Sequence, residues 1–168
     1  MSGFSPVNLQ AWVAEHRHLL KPPVGNAAIW NSNFLVMVVG GPNRRGDYHV
    51  NPGEELFYQI EGDIVLKVIE DGQPRDVPIR QGEIFLLPAK VPHSPQRPAN
   101  TVGLVVEQPK ASSEDQHLRW YCRGCGAVLH DVAFQPVDLG KQIKAALEAF
   151  NANQDLRTCK GCGEVFEA

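Results

Sequence analysis

Asp47-Tyr48-His49-Val50-Asn51-Pro52-Gly53-Glu54-Glu55 is the stretch whose reading decides the fold. It is answered further along by Pro88-Ala89-Lys90-Val91-Pro92-His93. His49 and Glu55 stand an even number of positions apart, so with extended flanks their side chains share one face of a sheet. Glu54, by the same alternation, points away from Glu55. His93 follows Ile84-Phe85-Leu86-Leu87, an apolar run that reads as a buried strand ending in a turn. Two imidazoles and a carboxylate converging from strands make the facial triad of non-haem Fe(II) sites, which leaves positions open for substrate and O2.

Outward from this stretch the chain keeps a strand-turn rhythm. Phe34–Val39 is rich in β-branched residues and ends at Gly40-Gly41-Pro42. Leu56–Ile60 and Ile64–Ile69 read as a hairpin through Glu61-Gly62-Asp63, with a further turn at Asp71-Gly72. Short strands near Val77, at Ile84–Leu87 and at Val102–Glu107 complete a pattern that predicts a mainly β sandwich or closed barrel. Ahead of it, residues 8–20 predict a helix capped by Asn8 and stopped at Lys21-Pro22-Pro23-Val24-Gly25.

After a polar break at residues 111–115, Cys122-Arg123-Gly124-Cys125-Gly126 is repeated as Cys159-Lys160-Gly161-Cys162-Gly163, with 33 residues between the two cysteine pairs. Two such pairs complete a tetrahedral four-sulfur site. A closed site of that kind has no open position, so its expected role is structural, with Zn or Fe as the ion. Between the pairs, residues 138–151 predict a helix capped by Asp138, with an apolar stripe of Leu139, Ile143, Ala146, Leu147 and Phe150. The expected organisation is a barrel over residues 1–116 and an extension over 117–168.

A chain of 168 residues with net charge −3 carries no electrostatic footprint for nucleic acid or an anionic membrane. No apolar run is long enough to span a bilayer. The amino terminus lacks a basic region followed by an apolar one, so a cytoplasmic location is expected, where cysteines serve as metal ligands rather than disulfides.

The pattern resembles the cupin family. His49, Glu55 and Gly62 fall on its first motif, with Asn51 where a second histidine is usual. Gly82, Pro88 and His93 fall on its second, with Lys90 where a glycine is usual. Losing one of four protein ligands opens the site to a chelating substrate. Adding Lys21-Pro22-Pro23-Val24-Gly25-Asn26, Val38-Val39-Gly40-Gly41-Pro42-Asn43 and His93-Ser94-Pro95-Gln96-Arg97-Pro98 narrows the resemblance to the 3-hydroxyanthranilate 3,4-dioxygenase family. The paired Cys-x-x-Cys tail is similar to that family's bacterial form.

The resemblance implies a double-stranded β-helix, or jelly-roll, with an N-terminal helix and a small helical, rubredoxin-like metal-binding extension. It implies Fe(II) held by His49, Glu55 and His93, and a second Fe or Zn held by Cys122, Cys125, Cys159 and Cys162. Arg45 and Arg97 would bind the substrate carboxylate, Glu107 would act as acid–base, and Asn26 and Asp47 would support the pocket, while Arg44 would be solvated. The implied substrates are 3-hydroxyanthranilate and O2, the product a precursor of quinolinate on the tryptophan-to-NAD route, and the assembly a homodimer. Two other readings stay open: another small-acid cupin dioxygenase or isomerase, and a non-enzymatic metal- or ligand-sensing cupin.

Overall fold

The computed structural model describes residues 5–22, 25–43, 45–108, 113–135, 137 and 139–167. In chain order its strands are β1 (Asn26–Asn31), β2 (Leu35–Gly40), β3 (Tyr48–Val50), β4 (Glu55–Glu61), β5 (Ile64–Glu70), β6 (Gln73–Ile79), β7 (Ile84–Leu87), β8 (His93–Gln96), β9 (Val102–Glu107), β10 (Gln116–Tyr121) and β11 (Val128–Phe134). They form two antiparallel sheets, ordered β1-β2-β9-β4-β7 and β11-β10-β3-β8-β5-β6. This is the architecture expected of a cupin barrel.

Strand alternation builds the interior. Ile64, Leu66 and Val68 of β5 face inward and meet Phe57 of β4, Leu87 of β7 and Val105 of β9 in one core cluster. At the barrel's other flank, α1 (Leu9–His16) and a 3-10 turn at Arg17–Leu20 replace the single helix expected over 8–20. Asn8 caps α1 by accepting from the Ala11 N–H at 2.9 Å. Trp12, Val13 and Leu20 then pack against Val38 and Val102.

Two local readings are corrected. Glu61-Gly62-Asp63 does not close a hairpin, because β4 and β5 belong to different sheets. Gly62, at φ 64°, turns the chain from one sheet to the other. The hairpin is the next one, β5–β6, through Asp71-Gly72 at φ 50° and 76°, the paired positive values of a tight two-residue turn. Nor is Ile84–Leu87 buried throughout. It is an edge strand whose Leu87 faces the core while Ile84 and Leu86 are 70% and 53% exposed.

The extension grows directly out of the second sheet. β10 pairs with β3 on one side and β11 on the other, so the 116/117 boundary falls at the start of a strand shared with the barrel. α2 (Leu139–Ala152) follows, then α3 (Gln154–Arg157). Phe150 of α2 is fully buried, stacked on Trp120 of β10 at 4.4 Å between ring centroids and edge-on to Phe166. Ile143, Ala146 and Leu147 join that cluster, as their helical stripe predicts. The expected cap Asp138, the Leu139 side chain, Arg44, and parts of the breaks at 21–25 and 111–115 lie outside the described residues. Among the described residues, no helix is long and apolar enough to cross a membrane.

Candidate active site

The pairing of the strands places the candidate ligand residues. His49 on β3 and His93 on β8 are Cα partners across one sheet, and Glu55 opens β4 in the other. All three are buried, and their ligand atoms lie within 4.8 Å of one another. Glu55 stands between the rings, its two oxygens 3.4 Å from His49 Nδ1 and 3.4 Å from His93 Nε2. Burial opposes ionisation of Glu55. The His93 charge and hydrogen bonds from both histidines outweigh it and hold the carboxyl well below its usual range. Two nitrogens and an ionised oxygen converging in a buried site are a donor set suited to a divalent transition metal.

Asn51 fills the place of the usual fourth ligand. It turns its amide N–H groups to carboxylates, donating to Glu55 Oε1 at 3.1 Å and Glu107 Oε2 at 2.7 Å. Its oxygen accepts from the Gly53 N–H at 3.0 Å, which shapes the ligand loop. Lys90 explains why the second motif usually has a glycine. Its backbone sits at φ 66°, the left-handed region, while its N–H donates to Asn51 O at 2.8 Å.

A cavity of about 650 Å³ opens on His49, Glu55 and His93. Arg45, Arg97 and Glu107 line the same cavity, and Asn26 lies along its wall. Arg97 is 2% exposed. Its Nη1 donates to Gln59 Oε1 at a long 3.4 Å, and its buried Nε has no partner among the described residues. Burial, then the neighbouring Arg45, pushes Arg97 down to about 10, so it stays cationic at neutral pH. Gly103 makes room for it, since a Cβ there would lie 2.9 Å from Nη1. Arg45 pairs through Nε and Nη2 with the fully buried Asp47 carboxylate. Asp47 itself is absent from the cavity lining and reaches the site through Arg45. Glu107 is buried and raised to about 7, first by desolvation and then by the Glu55 charge. Apolar walls come from Met37, Val39, Phe57 and Val105, and Ile143 and Leu147 of α2 close one side.

The four cysteines form a second cluster, with Sγ–Sγ distances of 3.5 Å for Cys122–Cys162 and 3.6 Å for Cys125–Cys159. Gly126 and Gly163 each follow a pair at φ 74° and 78° and donate to the carbonyls of Cys122 and Cys159. The glycine of the repeat serves this turn. Backbone N–H groups of Cys162 and Gly161 bring the Cys159 thiol down to about 6, favouring the thiolate a metal takes.

The family model of 3-hydroxyanthranilic acid dioxygenase matches residues 1–151. The chain belongs to that family. A Neurospora crassa 3-hydroxyanthranilate 3,4-dioxygenase is 54% identical over 163 residues, covering 97% of this chain and 91% of that protein. The Xanthomonas campestris enzyme of the same name is 51% identical, covering 97% of this chain and 93% of its own. Among solved structures, a cupin-2 domain protein from Shewanella frigidimarina is similar over 60% of this chain and 99% of its own, with 18% identity and a TM-score of 0.45.

For a 3-hydroxyanthranilic acid dioxygenase family member, the site has partners that motif reading does not single out. Asn51 reads from sequence only as a missing ligand, yet it ties two carboxylates together. Gln59 and Gly103 shape the space around Arg97, and Gln116 reaches His49 from β10. A glutamine in an alternating strand carries no local signal of this kind, because its partner lies far away in the chain.

Proposed function

We propose that the chain opens the ring of 3-hydroxyanthranilate with O2, forming 2-amino-3-carboxymuconate semialdehyde, with His49, Glu55 and His93 holding Fe(II). The observation that carries this reading is one cavity lined both by three buried residues able to hold a metal and by a buried guanidinium with an N–H that has no partner among the described residues. When bound there, Fe(II) supplies electron transfer to O2 and brings both reactants together. Both oxygen atoms enter the product as one ring C–C bond breaks, so no external reductant is needed.

The chain's own residues account for the rest. Arg97 and Arg45 bind the substrate carboxylate through charge-assisted hydrogen bonds, which orients the ring. Asp47 holds Arg45 at that task, and Asn26 contributes to the wall. Glu107 accepts a proton from the substrate phenol or amine, a role suited to a carboxyl poised near neutrality. Asn51 bridges Glu55 and Glu107 by giving each an N–H. The apolar walls exclude water from the reacting face.

Cys122, Cys125, Cys159 and Cys162 are assigned to a structural Zn or Fe, supported by their closed four-sulfur geometry. The 117–168 extension is then a module clamped by that ion and by the Trp120–Phe150–Phe166 cluster. A homodimer is supported by exposed Ile84 and Leu86 on edge strand β7, apolar surface that a second copy would cover. A cytoplasmic location is supported by four thiols clustered without disulfides. The test is anaerobic loading with Fe(II) and 3-hydroxyanthranilate, followed by air and spectrophotometric detection of the ring-opened product. A folded, Fe-loaded protein that leaves the substrate intact overturns the proposal.

A further inference from the structure

Gln116 opens β10, is fully buried, and places its Oε1 2.9 Å from His49 Nε2. Its own amide nitrogen has no hydrogen-bond partner among the described residues. Such a group is costly to bury, so its placement calls for a compensating role.

The two histidines present different nitrogens to the site. His93 Nδ1 lies 3.1 Å from the Val91 carbonyl, an acceptor only, so Nδ1 carries a hydrogen and Nε2, which faces Glu55, is the nitrogen that would give its lone pair to a bound ion. The His49 ring sits the other way round, with Nδ1 toward Glu55 and Nε2 toward Gln116. For His49 to offer a lone pair to the same ion, Nδ1 must be bare and Nε2 must carry the hydrogen. The Gln116 carbonyl is the acceptor that fixes this arrangement.

We infer that Gln116 is a positioning residue that holds His49 in its Nε2–H tautomer and aims Nδ1 at the metal. The inference rests on the metal reading of the preceding subsection. It gives β10 a second task, since the strand that supplies Gln116 runs straight on into Cys122 and pairs Leu118 with His49. The strand leading into the first cysteine thus also buttresses the catalytic histidine.

Outer partners of metal-bound histidines are worth about 10- to 100-fold in metal affinity. The experiment measures Mn(II) binding, from loss of the free-ion EPR signal, in protein whose cysteine site already holds Zn(II). Mn(II) favours nitrogen and oxygen donors, so the occupied thiolate site does not compete for it. Gln116→Met keeps length and burial but removes the acceptor. It should bind Mn(II) about 10- to 100-fold more weakly at an unchanged melting temperature. Gln116→Glu restores an acceptor and should bind at least as tightly as wild type. Should methionine not be accommodated, Gln116→Asn withdraws the carbonyl by one methylene and carries the same expectation. Wild-type affinity in the acceptor-lacking variant, or an equal loss in Gln116→Glu, overturns the assignment. No Mn(II) binding by the wild type itself overturns the metal reading beneath it.

Discussion

Glu55 and Glu107 are cross-strand partners on β4 and β9, both inward-facing, and their environments push them in opposite directions. Glu55 lies against two histidines that favour its charge, and is held well below the carboxylate range. Glu107 is raised to about 7 by burial and by the charge on Glu55. Two adjacent carboxylates with divergent affinities can divide the work, one as ligand and one as proton acceptor.

This divergence predicts a pH-dependent stability in metal-free protein. Between the ordinary carboxyl value of 4.5 and about 7, folded Glu107 keeps a proton that the unfolded chain has released. Its contribution therefore falls as pH rises through that window, by on the order of 3 kcal/mol. Glu55 acts in the opposite sense, stabilising above the unfolded carboxyl range and losing that contribution as pH falls. Urea unfolding at about pH 5 and about pH 8 should show wild type losing stability relative to Glu107→Gln as pH rises. A difference independent of pH would rule out the raised Glu107. In the Fe-loaded enzyme, Glu107→Ala should slow turnover more than it weakens substrate binding.

Asn51 should matter to both carboxylates at once. Asn51→Ala leaves Glu55 and Glu107 without the N–H groups that reach them at 3.1 and 2.7 Å. The expected loss is about 1–3 kcal/mol, or several degrees in the melting temperature of metal-free protein. Asn51→Asp should be worse, because it sets a third negative charge between two buried carboxyls. Equal melting temperatures for wild type and Asn51→Asp would contradict this role.

How far the sequence discloses this arrangement depends on the range of each interaction. His49, Glu55 and His93 are legible because motif spacing singles them out. Alternation within one sheet is not what joins them: His49 and His93 belong to one sheet and Glu55 to the other, and the fold brings the two together. The cysteine pairs are legible because each is a local turn, repeated. Hairpin and corner look alike at Glu61-Gly62-Asp63, since a glycine at positive φ serves either and the choice is made by which strands β4 and β5 later join. Ile84 and Leu86 read as core because apolarity says nothing of edge position. β10 and β11 escape notice because their inward residues, among them Gln116, Leu118 and Trp120, mix polar and apolar types. Asp47 illustrates the same limit: the resemblance puts it in the pocket, but only the fold gives it to Arg45.

Cys122→Ser should remove one ligand from the four-sulfur site and loosen the extension. The expected result is lower zinc or iron content and a lower melting temperature, measured by elemental analysis and calorimetry. Because Cys122 directly follows β10, some loss should also reach the packing of Trp120 against Phe150. If turnover instead vanishes in a fully folded protein with iron at the histidine site, the cysteine site is more than structural.

The proposed carboxylate clamp permits the sharpest comparison. Arg97 is buried with an unpartnered N–H, and Arg45 is braced by Asp47, so both guanidiniums are held in place before an anion arrives. Losing one bidentate contact to a charged group costs on the order of 2–3 kcal/mol, or tens to hundreds of times in affinity. Arg45→Ala and Arg97→Ala should therefore weaken 3-hydroxyanthranilate binding while iron content stays intact. Gly103→Ala should act in the same direction as Arg97→Ala, because its Cβ would press on the guanidinium. The discriminating ligand is 2-aminophenol, which keeps the chelating pair and lacks the carboxylate. Wild type should bind it poorly, and the arginine variants should lose little further affinity for it. If both variants weaken the carboxylate-free compound as strongly as 3-hydroxyanthranilate, the arginines serve the cavity's shape and not the substrate's charge.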